Sequence, residues 1–168
     1  MTSLENLLPG GKGVWIPIDH GVSDYPVKGI DNLQKIITLL AGAGADAIVA
    51  HKGVISKYSS LYPGKMVAHL SVSTRHAGEN SSDKVLVGTV NESVSRGAVG
   101  VSVQVNMGSE SEPEMIQRLG EISTQAFDSK IPLLGMIYPR GKNLNVMAED
   151  DTGGAAHAAR LGFELGCD

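Results

Sequence analysis

Only one cysteine, Cys167, occurs in the chain, so it can form no internal disulfide and no cysteine-rich metal site. Aromatic residues are scarce, with two phenylalanines, one tryptophan and four tyrosines, and the core must be built from aliphatic side chains. Basic charge is not in excess: the formal net charge is −4 and the pI is near 5.7. That balance gives no broad positive field for nucleic acid or for an anionic membrane surface, and neither is expected as a partner. No apolar run approaches the roughly 20 residues of a membrane helix. The start Met1-Thr2-Ser3-Leu4-Glu5 also lacks the basic-then-apolar order of a secretory signal. The expectation is a soluble cytoplasmic protein that acts on small molecules.

What is present is a chain of 168 residues, 42% hydrophobic, with 21 glycines. This composition suits one α/β domain over residues 1–168, its Val, Ile and Ala packing strands against helices, and it does not support disorder. Apolar runs at 14–18, 47–50, 66–70, 99–105 and 131–137 read as five strands, with a shorter run at 85–87. Between them lie helical patterns: Leu33, Ile36, Ile37 and Leu40 share one face, as do Met115, Leu119, Ile122 and Ala126. A last pattern places Ala155, Ala159, Gly162 and Phe163 together. Asp31 with Gln34 and Ser111 with Glu114 read as helix-capping pairs, and Pro113 fits a first helical turn. The stretches after His51-Lys52-Gly53 and from 71 to 83 read as loops. Glycine marks three helix-to-strand boundaries, at Gly44, Gly97 and Gly166. The third would open a strand just beyond Asp168, so an incomplete α/β protein is expected; a closed (β/α) barrel would take roughly 250 residues.

Two strand patterns end abruptly in ionisable residues: Ile16-Pro17-Ile18-Asp19-His20-Gly21, and Met136-Ile137-Tyr138-Pro139-Arg140-Gly141-Lys142. In α/β folds, strand ends of this kind form the mouth where substrates bind. Asp19 beside His20 could act as a general base, although an Asp before a turn is also a common turn former or cap. Tyr138 could donate a proton through its phenol, or sit as an amphipathic residue at the rim of the core. Arg140 and Lys142 could hold a phosphate or carboxylate, or form an ordinary solvated pair. Lys52 is read as a rim lysine that binds an anion, with a Schiff-base amine as the other possibility. His51, His69 and His76 lie near strand ends, but their spacing matches no metal signature, and the glycines form no dinucleotide or phosphate-loop fingerprint. No metal and no cofactor are expected.

Taken in order, Pro17-Ile18-Asp19-His20-Gly21-Val22-Ser23, His51-Lys52-Gly53, His69-Leu70-Ser71, Asn106-Met107-Gly108-Ser109 and Tyr138-Pro139-Arg140-Gly141-Lys142 resemble the archaeal-type class I aldolase family. The ordered set is specific, whereas each piece alone is weak. The resemblance implies an aldolase-type TIM (β/α)8 barrel, here roughly its first five β/α units, whose members form a Schiff base between a strand-end lysine and a ketose phosphate. It implies Asp19 as proton acceptor and Tyr138 as proton donor. It further implies that Asp19, His20, Gly21, Val22, Ser23, Tyr138, Pro139 and Arg140 touch the sugar phosphate. Two activities in the family stay open. One is a transaldolase-type synthase that moves a three-carbon unit onto aspartate semialdehyde, on a shikimate-like route to aromatic amino acids; the segments around Asp19 and Tyr138 look closer to it. The other is fructose-bisphosphate aldolase. The family's Schiff-base lysine lies on a sixth strand beyond Asp168, so these residues alone are expected to be inactive. A homo-oligomer is expected at full length, and a partner-dependent, non-catalytic half barrel is the reading from a different class.

Overall fold

The computed structural model describes residues 3–145 and 152–168. Helix α1 (Ser3–Leu7) and a short turn lead into strand β1 (Trp15–Pro17), followed by α2 (His20–Asp24) and α3 (Leu33–Gly42). Then come β2 (Ala47–Ala50), α4 (Lys52–Tyr58), β3 (Met66–His69), the short strands β4 (Ser71–Val72) and β5 (Val85–Leu86), and α5 (Val90–Ser95). The long strand β6 (Gly100–Met107), α6 (Glu112–Ser129), β7 (Leu133–Pro139) and α7 (Gly153–Glu164) complete the order.

Five strands pair in parallel in the order β1-β2-β3-β6-β7, which is the curved wall of a half barrel. Parallel strands are buried on both faces and read as continuous apolar runs, as Ala47-Ile48-Val49-Ala50 and Met66-Val67-Ala68 do. The outer face carries the main core: Ile48, Met66, Val101, Val103 and Val105 pack against Ile37, Met115, Leu119 and Ile122 of the helices. The inner face carries a smaller cluster of Leu7, Ala47, Val49 and Val67, with Trp15, Leu134 and Met136 against it. Between β1 and β7 an apolar hollow of about 650 Å³ lies open, lined by Leu4, Trp15, Leu134, Ile137 and Phe163 among others. Asp168 runs along the start of β7, its N–H donating to Leu133 O at 3.0 Å and its carboxylate accepting from Leu133 N at 2.9 Å.

The three boundary glycines adopt the left-handed conformation expected of them, with φ of 76° at Gly44, 101° at Gly97 and 84° at Gly166. Other expectations need correction. The stretch after His51 is the helix α4, because Val54 and Ile55 can turn inward onto the core. The segment from 71 to 83 is not a plain loop: β4 pairs antiparallel with β5 outside the main sheet, and a 3-10 turn spans Arg75–Ser82. The run at 85–87 therefore adds no strand to the barrel wall. Helix α3 is capped by Asn32, whose side chain accepts from Lys35 N at 3.0 Å, and not by the Asp31–Gln34 pair. Ser111 precedes α6 but makes no side-chain cap; Glu112 instead accepts from Gly108 N at 2.8 Å and ties the helix start to the end of β6. In α7 the packed stripe is Gly154, Ala158 and Gly162, while Ala155, Ala159 and Phe163 border the open hollow.

The loop after β7 is pinned by Gly141, whose N–H donates to Met107 O at 2.7 Å. A Cβ at Gly141 would collide with the backbone of Gly108 and Ser109, so only glycine lets this loop sit on the end of β6. Gly141→Ala is expected to lower stability by about 1–3 kcal/mol, the usual cost of forcing extra volume into a packed site. Denaturant unfolding measures it; an unchanged midpoint would mean the loop does not rest on Gly108.

Candidate active site

Side chains alternate between the two faces of a strand, so one parity of each strand reaches the inner face. Trp15, Pro17 and Asp19 share that parity at the first strand, Val49 and His51 at the second, and Val67 and His69 at the third. On β6 it falls to Ser102, Gln104 and Asn106, and on β7 to Leu134, Met136 and Tyr138. At the base of the inner face these positions are apolar; at the C-terminal ends they are polar or ionisable. The helix-facing positions of β6 are Val101, Val103 and Val105, all fully buried, while Ser102 and Asn106 are buried polar residues. The strand thus divides its labour by parity.

Asp19 ends the first strand with a helical backbone and leads into α2, yet its side chain makes no cap bond. The carboxylate instead faces two imidazoles: Oδ2 lies 3.8 Å from His69 Nε2 and Oδ1 lies 3.8 Å from His20 Nδ1. His69 is buried, and its Nδ1 lies 2.7 Å from Ser102 Oγ. Burial lowers its pKa from 6.5 to about 4, with Asp19 opposing and His51 and Lys84 reinforcing the shift. The Ser102 hydroxyl can donate to or accept from Nδ1, and Nε2 is the ring nitrogen that faces Asp19. His51 donates from Nδ1 to His69 O at 3.0 Å, and burial lowers its pKa as well. Asp19 therefore stands against the His69 imidazole, which burial holds toward its neutral form, with no cation of lysine or arginine within ion-pair distance among the described residues.

The other edge of the mouth is held by Asn106. Its Oδ1 accepts from Gln104 Nε2 at 2.8 Å and from Arg140 Nε at 3.0 Å, and its Nδ2 donates to Ser82 O at 2.6 Å. The Arg140 guanidinium lies over the Tyr138 ring, 4.7 Å from its centroid. Tyr138 keeps 42% of its surface exposed, so its ring lines the mouth rather than the core. Beside Arg140 a crevice of about 630 Å³ is bordered by Ser82, Asn106, Ser109 and Lys142, with Glu79 and Glu114 among its acids.

Of the residues singled out in the sequence, the fold brings Asp19, His20, His51 and His69 together, and separately Tyr138, Pro139 and Arg140. Gly21 and Val22 lie exposed on α2 beside Ser23, and this segment is tied down by the Arg75–Asp24 ion pair at 3.1 Å. His76 is exposed within the 3-10 turn. Lys52 pairs with Glu92 at 3.1 Å and Lys142 pairs with Glu110 at 2.5 Å. Neither lysine is a free amine, and Lys142 belongs to a solvated pair. Burial, reinforced by Asp168, pushes the Cys167 thiol up to about 11, which leaves no thiolate nucleophile there. Among the described residues no three of His, Cys, Asp or Glu converge as a metal-ligand set.

Sequence reasoning missed Lys84 and Ser102, and it singled out the Asn106-Met107-Gly108-Ser109 segment without giving Asn106 a role. Lys84 is only 9% exposed, and its Nζ donates to Ser73 Oγ at 2.6 Å. Burial lowers its pKa, as does Arg140, while Asp19 opposes the shift, so the lysine stands within electrostatic reach of both groups. The polar alternation Ser102, Gln104, Asn106 inside a valine strand was the available signal for β6. Lys84 gave none, because its hairpin is not part of the barrel wall.

A parallel β/α half barrel with an acid, a phenol and two cations at its strand ends is an arrangement of the α/β-barrel class. The chain belongs to the DeoC/LacD family of aldolases, whose sequence profile matches residues 14–168. It is 37% identical over 167 residues to "2-amino-3,7-dideoxy-D-threo-hept-6-ulosonate synthase 1" of Archaeoglobus fulgidus, covering 98% of this chain and 61% of that protein. It is 34% identical to "Fructose-bisphosphate aldolase class 1" of Thermoproteus tenax, covering 94% of this chain and 60% of that one. Among solved structures, a "Schiff Base Forming Fructose-1,6-bisphosphate Aldolase" superposes with a TM-score of 0.84 at 28% identity, over 98% of this chain and 67% of that one. The chain thus spans about three-fifths of the length of the curated relatives it matches.

The depressed His69 pKa has a definite pH consequence. A histidine titrating lower in the folded state than in the unfolded one favours folding above its unfolded value. That contribution is lost as pH falls from 6.5 toward about 4. Acid unfolding should steepen in that window, and His69→Gln should flatten it. NMR titration of the ring provides a direct check; a midpoint near 6.5 would show that His69 is not held neutral.

Proposed function

We propose that residues 1–168 form a single, C-terminally incomplete barrel domain. It supplies the acid/base half of a Schiff-base class I aldolase, specifically a transaldolase-type 2-amino-3,7-dideoxy-D-threo-hept-6-ulosonate synthase of aromatic amino acid biosynthesis. The observation that carries this is Asp19: a strand-end carboxylate held against the buried His69 imidazole, in a mouth that also presents Tyr138 and Arg140. The substrates would be a sugar phosphate and aspartate semialdehyde, handled in the cytoplasm by a homo-oligomer.

In this reading Asp19 accepts the proton released as the carbon–carbon bond breaks, and Tyr138 donates one to the developing alkoxide. An unpaired carboxylate can take a proton, whereas one locked to a guanidinium would have its basicity suppressed. His20, Gly21, Val22 and Ser23 on α2, with Pro139 and Arg140 after β7, would surround the sugar phosphate. The amine nucleophile would come from sequence C-terminal to Asp168, on a strand laid against β7, where the Asp168 N–H already donates to Leu133 O. That strand and its successors would also cover the apolar hollow between β1 and β7. A fructose-bisphosphate aldolase is the second reading, favoured by the structural likeness, and competition between the two sugar phosphates separates them.

The test is borohydride trapping of the protein at its full natural length with sugar phosphate, read by intact mass and peptide mapping. The expected adduct lies on a lysine beyond residue 168, with none on the isolated 168 residues; stoichiometric trapping on the isolated chain would overturn the proposal. Asp19→Asn and Tyr138→Phe should each lower kcat by about 10²- to 10⁴-fold, the usual contribution of a positioned acid or base. Activity at the wild-type level in either variant would remove that residue from the mechanism.

A further inference from the structure

We propose that Asn106 is a positioning residue of the mouth: its buried amide fixes where the Arg140 guanidinium stands against the Tyr138 ring, and so where that cation meets a substrate oxyanion. Arg140 as a substrate contact is taken from the aldolase reading; its control by Asn106 stands on the hydrogen bonds. Asn106 is 1% exposed near the end of β6, and it is the register partner of Tyr138 on β7. Its amide can stand in only one orientation. Ser82 O can only accept and lies 2.6 Å from Nδ2, whereas Arg140 Nε–H can only donate and lies 3.0 Å from Oδ1. A flipped amide would set like against like at both contacts. Gln104 Nε2 donates to the same Oδ1 at 2.8 Å and occupies its second lone pair.

An amide buried in a valine strand needs a reason, because asparagine is depleted in strands and costs free energy to bury unless it is bonded. Holding the loop after β7 is not that reason. Arg140 N and Gly141 N both donate to Met107 O, at 3.3 and 2.7 Å, and Asn143 N donates to Gly108 O at 2.9 Å, so other bonds already anchor this backbone. What the Asn106 side chain adds is a constraint on one other side chain. An arginine free to rotate on its long stem would lose rotamer entropy on meeting an anion. One held at Nε by Asn106, with its guanidinium 4.7 Å from the Tyr138 ring centroid, has lost that freedom beforehand. With Nε committed, the terminal amino groups are left for charge-assisted bonds to the oxyanion. Asn106 itself touches no reacting atom and acts through Arg140.

The test is a double-mutant cycle in the natural-length protein, read by titration with inorganic phosphate and by KM for the sugar phosphate. Asn106→Leu keeps the branched shape and removes the bonds. It should weaken phosphate binding and raise KM about tenfold or more, the usual worth of a hydrogen bond to a charged group. In an Arg140→Gln background the same substitution should add nothing further, since its effect runs through the guanidinium. Ile122→Val, a core change of ordinary cost, should leave both readouts unchanged. An amide that served the fold alone would lower stability and multiply with Arg140→Gln. Should Asn106→Leu fail to fold, the wild-type protein decides: its Arg140 Nε–H should exchange with solvent more slowly than that of the exposed Arg75. The proposal is overturned if the two substitutions multiply, if folded Asn106→Leu binds phosphate as wild type does, if wild type binds no phosphate, or if the Arg140 Nε–H exchanges as fast as that of Arg75. Phosphate binding with the expected coupling, but no turnover of any sugar phosphate, would sink the aldolase reading and leave this one standing.

Discussion

The two-residue period of β6 is the constraint on which this architecture turns. A central parallel strand must satisfy two packed faces at once, and Gly100–Met107 does so with valines toward the helices and Ser102, Gln104 and Asn106 toward the mouth. Every polar residue on that inner face already has a partner: Ser102 meets His69, Gln104 meets Asn106, and Asn106 meets Arg140 and Ser82. A register slip of one residue would turn valines into the mouth and bury two amides and a hydroxyl against α6. The polar network and the apolar core are therefore one specification, written once along eight residues.

That specification also explains why Asp19 is left chemically available. Its nearest ionisable neighbour in the wall, His69, is hydrogen-bonded to Ser102 and is held toward the neutral form by burial. A charged imidazole there would form an ion pair with the carboxylate and stabilise the ionised form. A neutral one orients it without that effect. The contrast with Glu92, bridged to both Lys52 and Arg96, is instructive, because that acid is tied into a surface network and has no free face.

The sequence conveyed the wall of the barrel well and its decoration poorly. Apolar runs and boundary glycines located all five parallel strands, because burial on both faces and left-handed helix ends leave direct marks on composition. The stripe of α6 was legible for the same reason, since Met115, Leu119, Ile122 and Ala126 are all buried. Of the face read for α7 only Gly162 is packed, while Ala155, Ala159 and Phe163 are exposed, because small residues occur on two adjacent stripes and only the packed neighbours distinguish them. Asp19, Tyr138 and Arg140 were visible as strand-end residues. Which of them touch was not, since the strands that carry them lie at opposite edges of a five-stranded sheet.

Lys84 shows where local reasoning stops. Nothing adjacent in the chain marks it, for Asp83-Lys84-Val85 reads as an ordinary polar turn before a short apolar run. Its position depends on three separate segments: the β4–β5 ribbon that carries it, Arg118 on α6 that clamps its carbonyl, and Ser73 that receives its ammonium. The same residue contributes to the electrostatics of His51 and His69, pushing both further toward the neutral form. A cation contributed from outside the barrel wall thus adds to the burial that lowers the pKa of His51 and His69. The strands provide the scaffold of this site, and an insertion between two of them sets its charge.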